Sequence, residues 1–260
     1  LSATVVFDYP HAKALTNFFL ERMALSEAAA QEAHIPQVVA HDEPIAIVSM
    51  ACRFPGGVEE PEALWSLLSR GEDAITEVPP LRFDIYAIFD PDPDATGKTY
   101  TRWGGFVGDV TRFDASFFGI SPREAKSIDP QERLLLETSW ELFERGGYVP
   151  EQLAGSQTGV YVGISANEYL SVAGIDNEAL DAYSILGTAH SAVVGRLSYV
   201  LGLEGPNLAV DTACSSALVA LHLACQGLRN GECDLALTGG VNLLLADYGY
   251  IYLSRLGAIS

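Results

Sequence analysis

The most informative segment of the sequence reads Asn207-Leu208-Ala209-Val210-Asp211-Thr212-Ala213-Cys214-Ser215-Ser216-Ala217-Leu218. An apolar strand is predicted to end at a turn of small residues, and a helix is predicted to begin at once, with Cys214 at the junction. A thiol in that position lies near the positive end of the helix dipole and the unpaired N–H groups of the first turn. Both favour the thiolate, and the same amides can stabilise an oxyanion when the thiolate attacks a carbonyl.

The residues alone leave two interpretations of Cys214 open. In the first, the cysteine is a nucleophile on a strand-to-helix turn, with sulfur where related turns carry oxygen. In the second, it is a structural cysteine buried at a strand end, because free cysteine is among the most buried residue types and the neighbouring sequence offers no general base. The structural interpretation is the prediction for Cys52, Cys225 and Cys233.

Three other polar residues stand near this segment. His190 is predicted to cap or pack a helix start rather than to serve the cysteine. His222 follows Cys214 by eight residues in the same predicted helix, so its side chain is expected to point along the helix flank. Asp211 is expected to form a structural hydrogen bond, because a carboxylate beside the sulfur would oppose thiolate formation.

The flanking sequence predicts alternating strands and helices. Apolar runs predict strands at residues 45–50, 158–165, 207–212 and 235–245, and helical spacing predicts helices at residues 11–23, 122–145, 189–201 and 214–228. A further helix is predicted with Leu64, Trp65, Leu67 and Leu68 as its inner face. Residues 71–119 are rich in turn signals, which indicates a functional or interface-forming loop region. This alternation predicts an α/β domain with a mixed, largely parallel sheet.

Composition excludes several classes of function. The chain has 260 residues, with 15 Lys plus Arg against 34 Asp plus Glu, for a net charge of -19. A polyanion of this kind is not expected to bind nucleic acid or an anionic membrane, and no apolar run is long enough to span a bilayer. Four cysteines without Cys-x-x-Cys spacing and unclustered histidines predict no metal site and a reducing, cytoplasmic location.

Several motifs resemble the β-ketoacyl synthase (ketosynthase) domains of type I modular polyketide synthases. The segment around Cys214 is similar to their active-site signature. The other similar segments are residues 43–48 with 52–57, 101–106, 113–125, 129–137, and 195–199 with 201–206. Residues 43–260 are therefore predicted to be the N-terminal portion of a ketosynthase domain. Residues 1–24 are similar to the C-terminal tail of an acyl carrier protein domain, and residues 25–42 are expected to be a linker.

The resemblance implies the N-terminal half of a thiolase-like fold, in a protein that forms a homodimer. It implies that Cys214 accepts an acyl chain from phosphopantetheine presented by an acyl carrier protein. A malonyl-type extender thioester then undergoes decarboxylative Claisen condensation with that chain. No cofactor is expected to bind directly. The family also uses two histidines from the second half of the fold, and neither His190 nor His222 lies in a matching motif, so little elongation is expected from this chain alone.

Other functions compatible with the sequence remain. A fatty-acid synthase ketosynthase is one alternative, and a non-elongating ketosynthase that only transfers acyl chains is a second. A dimerisation or docking module without catalysis is a third, although that function gives no reason for a cysteine on the turn. The acidic residues 59–60 and 90–94 are expected to form solvated surface rather than a docking site.

Overall fold

The computed structural model describes residues 43–174 and 181–260, together with Lys13 and residues 16–18. Contacts divide the chain into two units, residues 1–38 and residues 39–260. In the first unit the four described residues are helical, as expected for the helix predicted at residues 11–23. The rest of that helix and most of the predicted carrier-like tail and linker lie outside the described residues.

The second unit alternates helices and strands. The helices are α1 (Pro61–Arg70), α2 (Pro122–Ala125), α3 (Pro130–Arg145), α4 (Tyr169–Val172), α5 (Ala182–Leu186), α6 (His190–Leu201), α7 (Ser216–Arg229) and α8 (Tyr248–Arg255). The strands are β1 (Ile75–Glu77), β2 (Trp103–Gly105), β3 (Thr158–Gly163), β4 (Asn207–Val210) and β5 (Leu235–Gly240). Short 3-10 helices occupy Ile85–Ala87, Pro150–Leu153 and Ala213–Ser215. None of the described helices combines the length and hydrophobicity needed to cross a membrane.

A parallel sheet with strand order β4-β3-β5 lies at the centre of this unit. Strand β3 is buried along its whole length, with Gly163 opposite both Val210 and Gly240. Because side chains alternate along a strand, Val160 and Val162 face one side of the sheet and Tyr161 faces the other. An apolar strand buried on both faces is typical of a parallel sheet covered by helices.

Helices cover both faces of the sheet. On the first face, Val160 and Val162 pack in one cluster with residues of α3 and α6, among them Leu136 and Leu197, which are 2% and 0% exposed. On the second face, Tyr161 packs in another cluster with Ala220 and Ala224 of α7. Each large side chain buried in this way contributes about 1.5–3 kcal/mol. The predicted α/β architecture is therefore confirmed as helix, sheet and helix layers.

The single helix predicted at residues 122–145 is two helices. The break falls at residues 126–129, and α3 restarts with Asp129 as N-cap and Pro130 in its first turn. Proline lacks an N–H donor and fits the first turn of a helix, where that donor has no partner. The Asp129 side chain accepts the Gln131 N–H at 2.8 Å and satisfies one of the remaining donors. Helical spacing alone does not show such a restart.

The strand predicted at residues 45–50 is wrong. These residues form no ladder with the described strands, and Ile47 and Met50 are 76% and 59% exposed. Ser49 Oγ donates to the Leu142 carbonyl at 2.7 Å, so this segment lies against the end of α3. An apolar run identifies residues that suit a strand, but pairing depends on a partner edge, which the run does not specify.

The predicted inner face of α1 is wrong for two of its four residues. Leu64 and Leu67 are half-buried, whereas Trp65 and Leu68 are 73% and 61% exposed. An ion pair of 2.6 Å joins Glu62 to Arg145 at the end of α3. The turn-rich residues 71–119 carry β1 and β2, which pair antiparallel across Ile75 and Gly105. The sequence did not predict this short ladder.

Candidate functional site: the turn at Cys214

Cys214 lies in the turn between the end of β4 and the start of α7. The turn is the 3-10 helix Ala213–Ser215, and α7 follows directly from Ser216. The Cys214 side chain is exposed, and its thiol is free. The predicted order of strand, small-residue turn and helix is confirmed. Cys214 itself lies in the 3-10 helix, and the α-helix begins at Ser216 instead of at the predicted residue 214. An exposed thiol does not fit the structural interpretation of a buried cysteine.

The residue before the cysteine has an unusual backbone. Ala213 has φ of +54°, in the left-handed region that costs a residue with a Cβ roughly 1 kcal/mol or more. Two side chains hold this conformation. Asp211 Oδ1 accepts the Ala213 N–H at 3.0 Å, and Ser216 Oγ donates to the Ala213 carbonyl at 2.6 Å. The structural hydrogen bond expected of Asp211 is confirmed.

Ser216 holds the turn from the helix side. Its side chain is buried, and its Oγ also accepts the Thr212 N–H at 2.9 Å. One hydroxyl therefore satisfies a donor and an acceptor of the two residues that precede Cys214. The exposed Ser215 hydroxyl bonds the Thr212 carbonyl at 2.9 Å and the Thr212 hydroxyl at 2.8 Å. The three small polar side chains fix the path of the chain around the thiol.

The first turn of α7 packs directly on the ends of the two neighbouring strands. A Cβ atom on Gly163 would lie 2.5 Å from the Ala217 nitrogen, and one on Gly240 would lie 2.8 Å from the Ala217 Cβ. The Val241 N–H donates to the Gly163 carbonyl at 3.0 Å, which joins the two strand ends. Glycine at both ends therefore allows the helix that follows Cys214 to approach the carboxyl edge of the sheet.

The other cysteines are more enclosed than Cys214. Cys233 is 3% exposed and packs beside Tyr161, and burial raises the pKa of its thiol. Cys52 is half-buried, and burial raises the pKa of this thiol too. Cys225 is half-buried within α7. The structural interpretation of these three residues agrees with their burial, and Cys214 differs from them in its exposure.

The two histidines have separate positions. His190 begins α6, and its Nε2 lies 3.1 Å from the Ala166 carbonyl oxygen in the segment after β3. This contact confirms the predicted packing role. His222 is exposed on α7. Among the described residues, no hydrogen bond joins either ring to Cys214.

Sequence reasoning missed two buried polar residues close to the same edge of the sheet. Gln131 is 1% exposed and bonds backbone atoms of the segments that follow β3 and β5. Glu168, in the segment after β3, is 8% exposed and bonds backbone atoms of the segment after β5. The available signal was the position of Gln131, two residues after the helix N-cap Asp129. Nothing in the local pattern of residues 166–174 distinguishes Glu168.

A groove of about 490 Å³ also lies on this unit, and Cys214 is not among the residues that line it. Its walls are residues 51–55, one side of α3, and the end of β5 with residues 241–244. In the described part of the chain, no three His, Cys, Asp or Glu side chains are grouped to hold a metal ion.

Known proteins with similar sequences are polyketide synthases. The pikromycin polyketide synthase component PikAII of Streptomyces venezuelae is 52% identical over 256 residues, which cover 98% of this chain and 7% of that protein. Polyketide synthase GfsB of Streptomyces halstedii is 49% identical over 261 residues, which cover 100% of this chain and 5% of that protein. The chain thus spans a small part of the length of these relatives.

Solved structures give the same result for the fold. The oxazolomycin ketosynthase domain of Streptomyces albus has a TM-score of 0.77 and 40% identity, covering 83% of this chain and 37% of that one. A ketosynthase from module 6 of the bacillaene synthase of Bacillus subtilis has a TM-score of 0.71 and 35% identity, covering 83% and 34%. The predicted thiolase-like fold is confirmed by these ketosynthases.

A family model describes the same region of the chain. The model of the β-ketoacyl synthase N-terminal domain matches residues 42–260, which begin one residue before the domain boundary predicted at residue 43. The matched region contains the exposed thiol, the turn that carries it and the sheet on which that turn packs. The chain belongs to the β-ketoacyl synthase family, and its relatives place it among the ketosynthase domains of polyketide synthases.

Proposed function

We propose that Cys214 is the acyl-accepting nucleophile of a polyketide synthase ketosynthase. The thiolate attacks the carbonyl carbon of an acyl thioester on the phosphopantetheine arm of an acyl carrier protein. A new bond forms between this carbon and the Cys214 sulfur, and the bond to the pantetheine sulfur breaks. The released pantetheine thiolate takes up a proton. The acyl chain is then held on the turn between β4 and α7.

The observation that carries this proposal is the exposed thiol at the amino end of a long helix. Helix α7 has 14 residues, and its first N–H groups point toward the turn that contains Cys214. These amides and the helix dipole can stabilise the oxyanion of the tetrahedral intermediate. The left-handed Ala213 beside the thiol is the kind of local strain that concentrates at active sites.

A second step completes the proposed reaction. A malonyl-type extender thioester loses CO2, and the electron pair of the broken bond becomes an enolate. The enolate carbon attacks the carbonyl of the Cys214 thioester, and the Cys214 thiolate leaves. In this family the step uses two histidines, and neither His190, which is bonded to the Ala166 carbonyl, nor His222 lies in a motif that matches them. Little elongation is therefore expected from this chain alone. The acyl carrier protein is thus the required partner, and homodimer formation and a cytoplasmic location stay predictions.

The test is acylation of Cys214 in the full-length protein. The protein is incubated with propanoyl-, hexanoyl- and decanoyl-pantetheine, and peptide mass spectrometry locates the acyl group. We expect the mass increase on Cys214, its loss in Cys214→Ala, and its retention in the matched variant Cys225→Ala, which changes a half-buried thiol of the same helix. A folded protein that carries no acyl group on Cys214 with any of the three thioesters contradicts the proposal and favours a docking module.

A further inference from the structure

The two strand ends that contact the first turn of α7 continue into two loops. After Gly163, residues 164–168 lead to α4, and after Gly240, residues 241–247 lead to α8. Both loops start where glycine allows backbone contact with Ser216 and Ala217, immediately after the turn that carries Cys214. The contacts between these glycines and the first turn of α7 therefore set where the two loops lie relative to the thiol.

A single side-chain amide joins the two loops. Gln131 Nε2 donates to the Ala166 carbonyl at 3.0 Å in the first loop. Gln131 Oε1 accepts the Leu243 N–H at 3.2 Å in the second loop. Gln131 Nε2 also donates to the Asp129 carboxylate at 3.3 Å, and this bond orients the amide with its nitrogen toward the first loop. Glutamine is suited to this role because it has both donors and an acceptor at the same distance from the backbone.

A buried carboxylate provides a second connection between the loops. Glu168 ends the first loop, and its Oε2 accepts the N–H groups of Leu245 and Ala246 in the second loop, both at 2.7 Å. Gly249 of α8 lies close on the other side, since a Cβ there would be 3.5 Å from Glu168 Oε1. The carboxylate is therefore enclosed between the second loop and the helix it leads to.

We propose that Gln131 and Glu168 are positioning residues that hold the loops after β3 and β5 in register beside the Cys214 turn. This inference rests on the proposed function. An acyl thioester reacts only when its carbonyl carbon is held about 3–3.5 Å from the sulfur in the correct direction. Loops that shift relative to α7 change that approach without altering the thiol, so the acylation rate falls while the reactivity of the thiol toward small reagents persists.

The test uses Gln131→Glu and Glu168→Gln in the full-length protein. Gln131→Glu keeps the acceptor for Leu243 but removes both donors, and Glu168→Gln keeps the shape but removes the charge. The matched controls are Gln152→Glu and Glu151→Gln, which make the same changes at exposed positions of the 3-10 helix Pro150–Leu153. Single-turnover acylation is measured against the concentration of the pantetheine thioester that acylates the wild type fastest, together with alkylation by iodoacetamide and the melting temperature.

We expect both variants to lower the maximal acylation rate at least tenfold, with the half-saturating concentration and the alkylation rate within about twofold of the wild type. The controls are expected to match the wild type in all measurements. Acylation rates of both variants within twofold of the wild type overturn the proposal, as does loss of the cooperative melting transition in both, because the residues then serve folding alone. A wild type that is not acylated overturns the proposed function as well.

Discussion

Ser216 is the residue on which the geometry of the Cys214 turn depends most. Its buried hydroxyl accepts the Thr212 N–H and donates to the Ala213 carbonyl, and so bonds both residues that precede Cys214. The neighbouring Ser215 hydroxyl is exposed and makes its bonds where water can replace them. The two adjacent serines therefore differ in burial, and the sequence alone does not show this difference.

We expect Ser216→Ala to lower the free energy of unfolding by about 1–3 kcal/mol, because one backbone donor and one backbone acceptor together lose the buried hydroxyl that bonds both. The matched variant Ser215→Ala is expected to change it by less than about 0.5 kcal/mol. Urea unfolding of both variants measures the difference. Equal stability of the two variants would contradict the role assigned to the buried hydroxyl.

The sequence predicted the position of the thiol in the turn, but not the strained backbone of the residue before it. Small residues between an apolar strand and a helix predicted the location of Cys214 at the turn, but left both interpretations of the cysteine open. The left-handed conformation of Ala213 was not predictable, since alanine has no preference for positive φ. It is imposed by the Asp211 and Ser216 side chains, and hence by bonds that become visible only when the chain is folded.

At the scale of elements, α7 approaches the sheet closely because β3 and β5 both end in glycine, which has no Cβ atom. A Cβ at Gly163 would lie 2.5 Å from the Ala217 nitrogen and 2.6 Å from the Ser216 carbonyl carbon, both of which are backbone atoms. Backbone cannot rotate away as a flexible side chain can. Gly239, opposite Val162 in the same sheet, has no atom within 4 Å of its Cβ position.

We expect Gly163→Ala to destabilise the chain by about 2–3 kcal/mol, because the first turn of α7 must move away from β3. Gly239→Ala is expected to be neutral within about 1 kcal/mol, since the added methyl group enters open space. Thermal unfolding measures stability, and alkylation of Cys214 by iodoacetamide reports displacement of the turn. If Gly239→Ala costs as much as Gly163→Ala, the close approach of helix and sheet is not the cause.

Elements that are buried by their immediate neighbours in the sheet were predictable, and elements that depend on distant partners were not. β3, α6 and α7 were placed within a few residues because their apolar periodicity matches the faces they bury. The run at residues 45–50 has the same composition as a buried strand, yet Ile47 is exposed and the segment lies beside α3. The Gln131 amide was missed for a similar reason, since its partners Ala166 and Leu243 are far away in sequence.

Across the whole unit, α2, α3 and α6 are joined by Arg196, whose side chain is 17% exposed. The Arg196 guanidinium of α6 bonds Glu132 of α3, and it bonds Glu124 of α2 at 2.7 Å. Glu132 is fully buried, and its second carboxylate oxygen has no hydrogen-bond partner among the described residues. A guanidinium and a buried carboxyl group held together in this way stabilise little in net terms, because desolvation opposes the attraction between their charged forms. They specify instead which helices meet.

Glu132 should also make the stability of the chain depend on pH. Burial raises the pKa of the Glu132 carboxyl to about 8, above its ordinary value of 4.5, even though the Arg196 charge lowers it. Between these values the folded state holds a proton that the unfolded state has released. The corresponding stabilisation is complete below pH 4.5 and is lost as pH rises through about 8.

We therefore expect the free energy of unfolding of the wild type to fall, relative to that of Glu132→Gln, by on the order of 3 kcal/mol between pH 5 and pH 8.5. Glutamine keeps the shape of the side chain but cannot titrate, so the comparison isolates this one proton. The control Glu151→Gln removes a carboxylate from an exposed 3-10 helix and should run parallel to the wild type. Urea midpoints across the pH range provide the measurement, and parallel curves for the wild type and Glu132→Gln would show that the buried carboxyl keeps its ordinary ionisation beside Arg196.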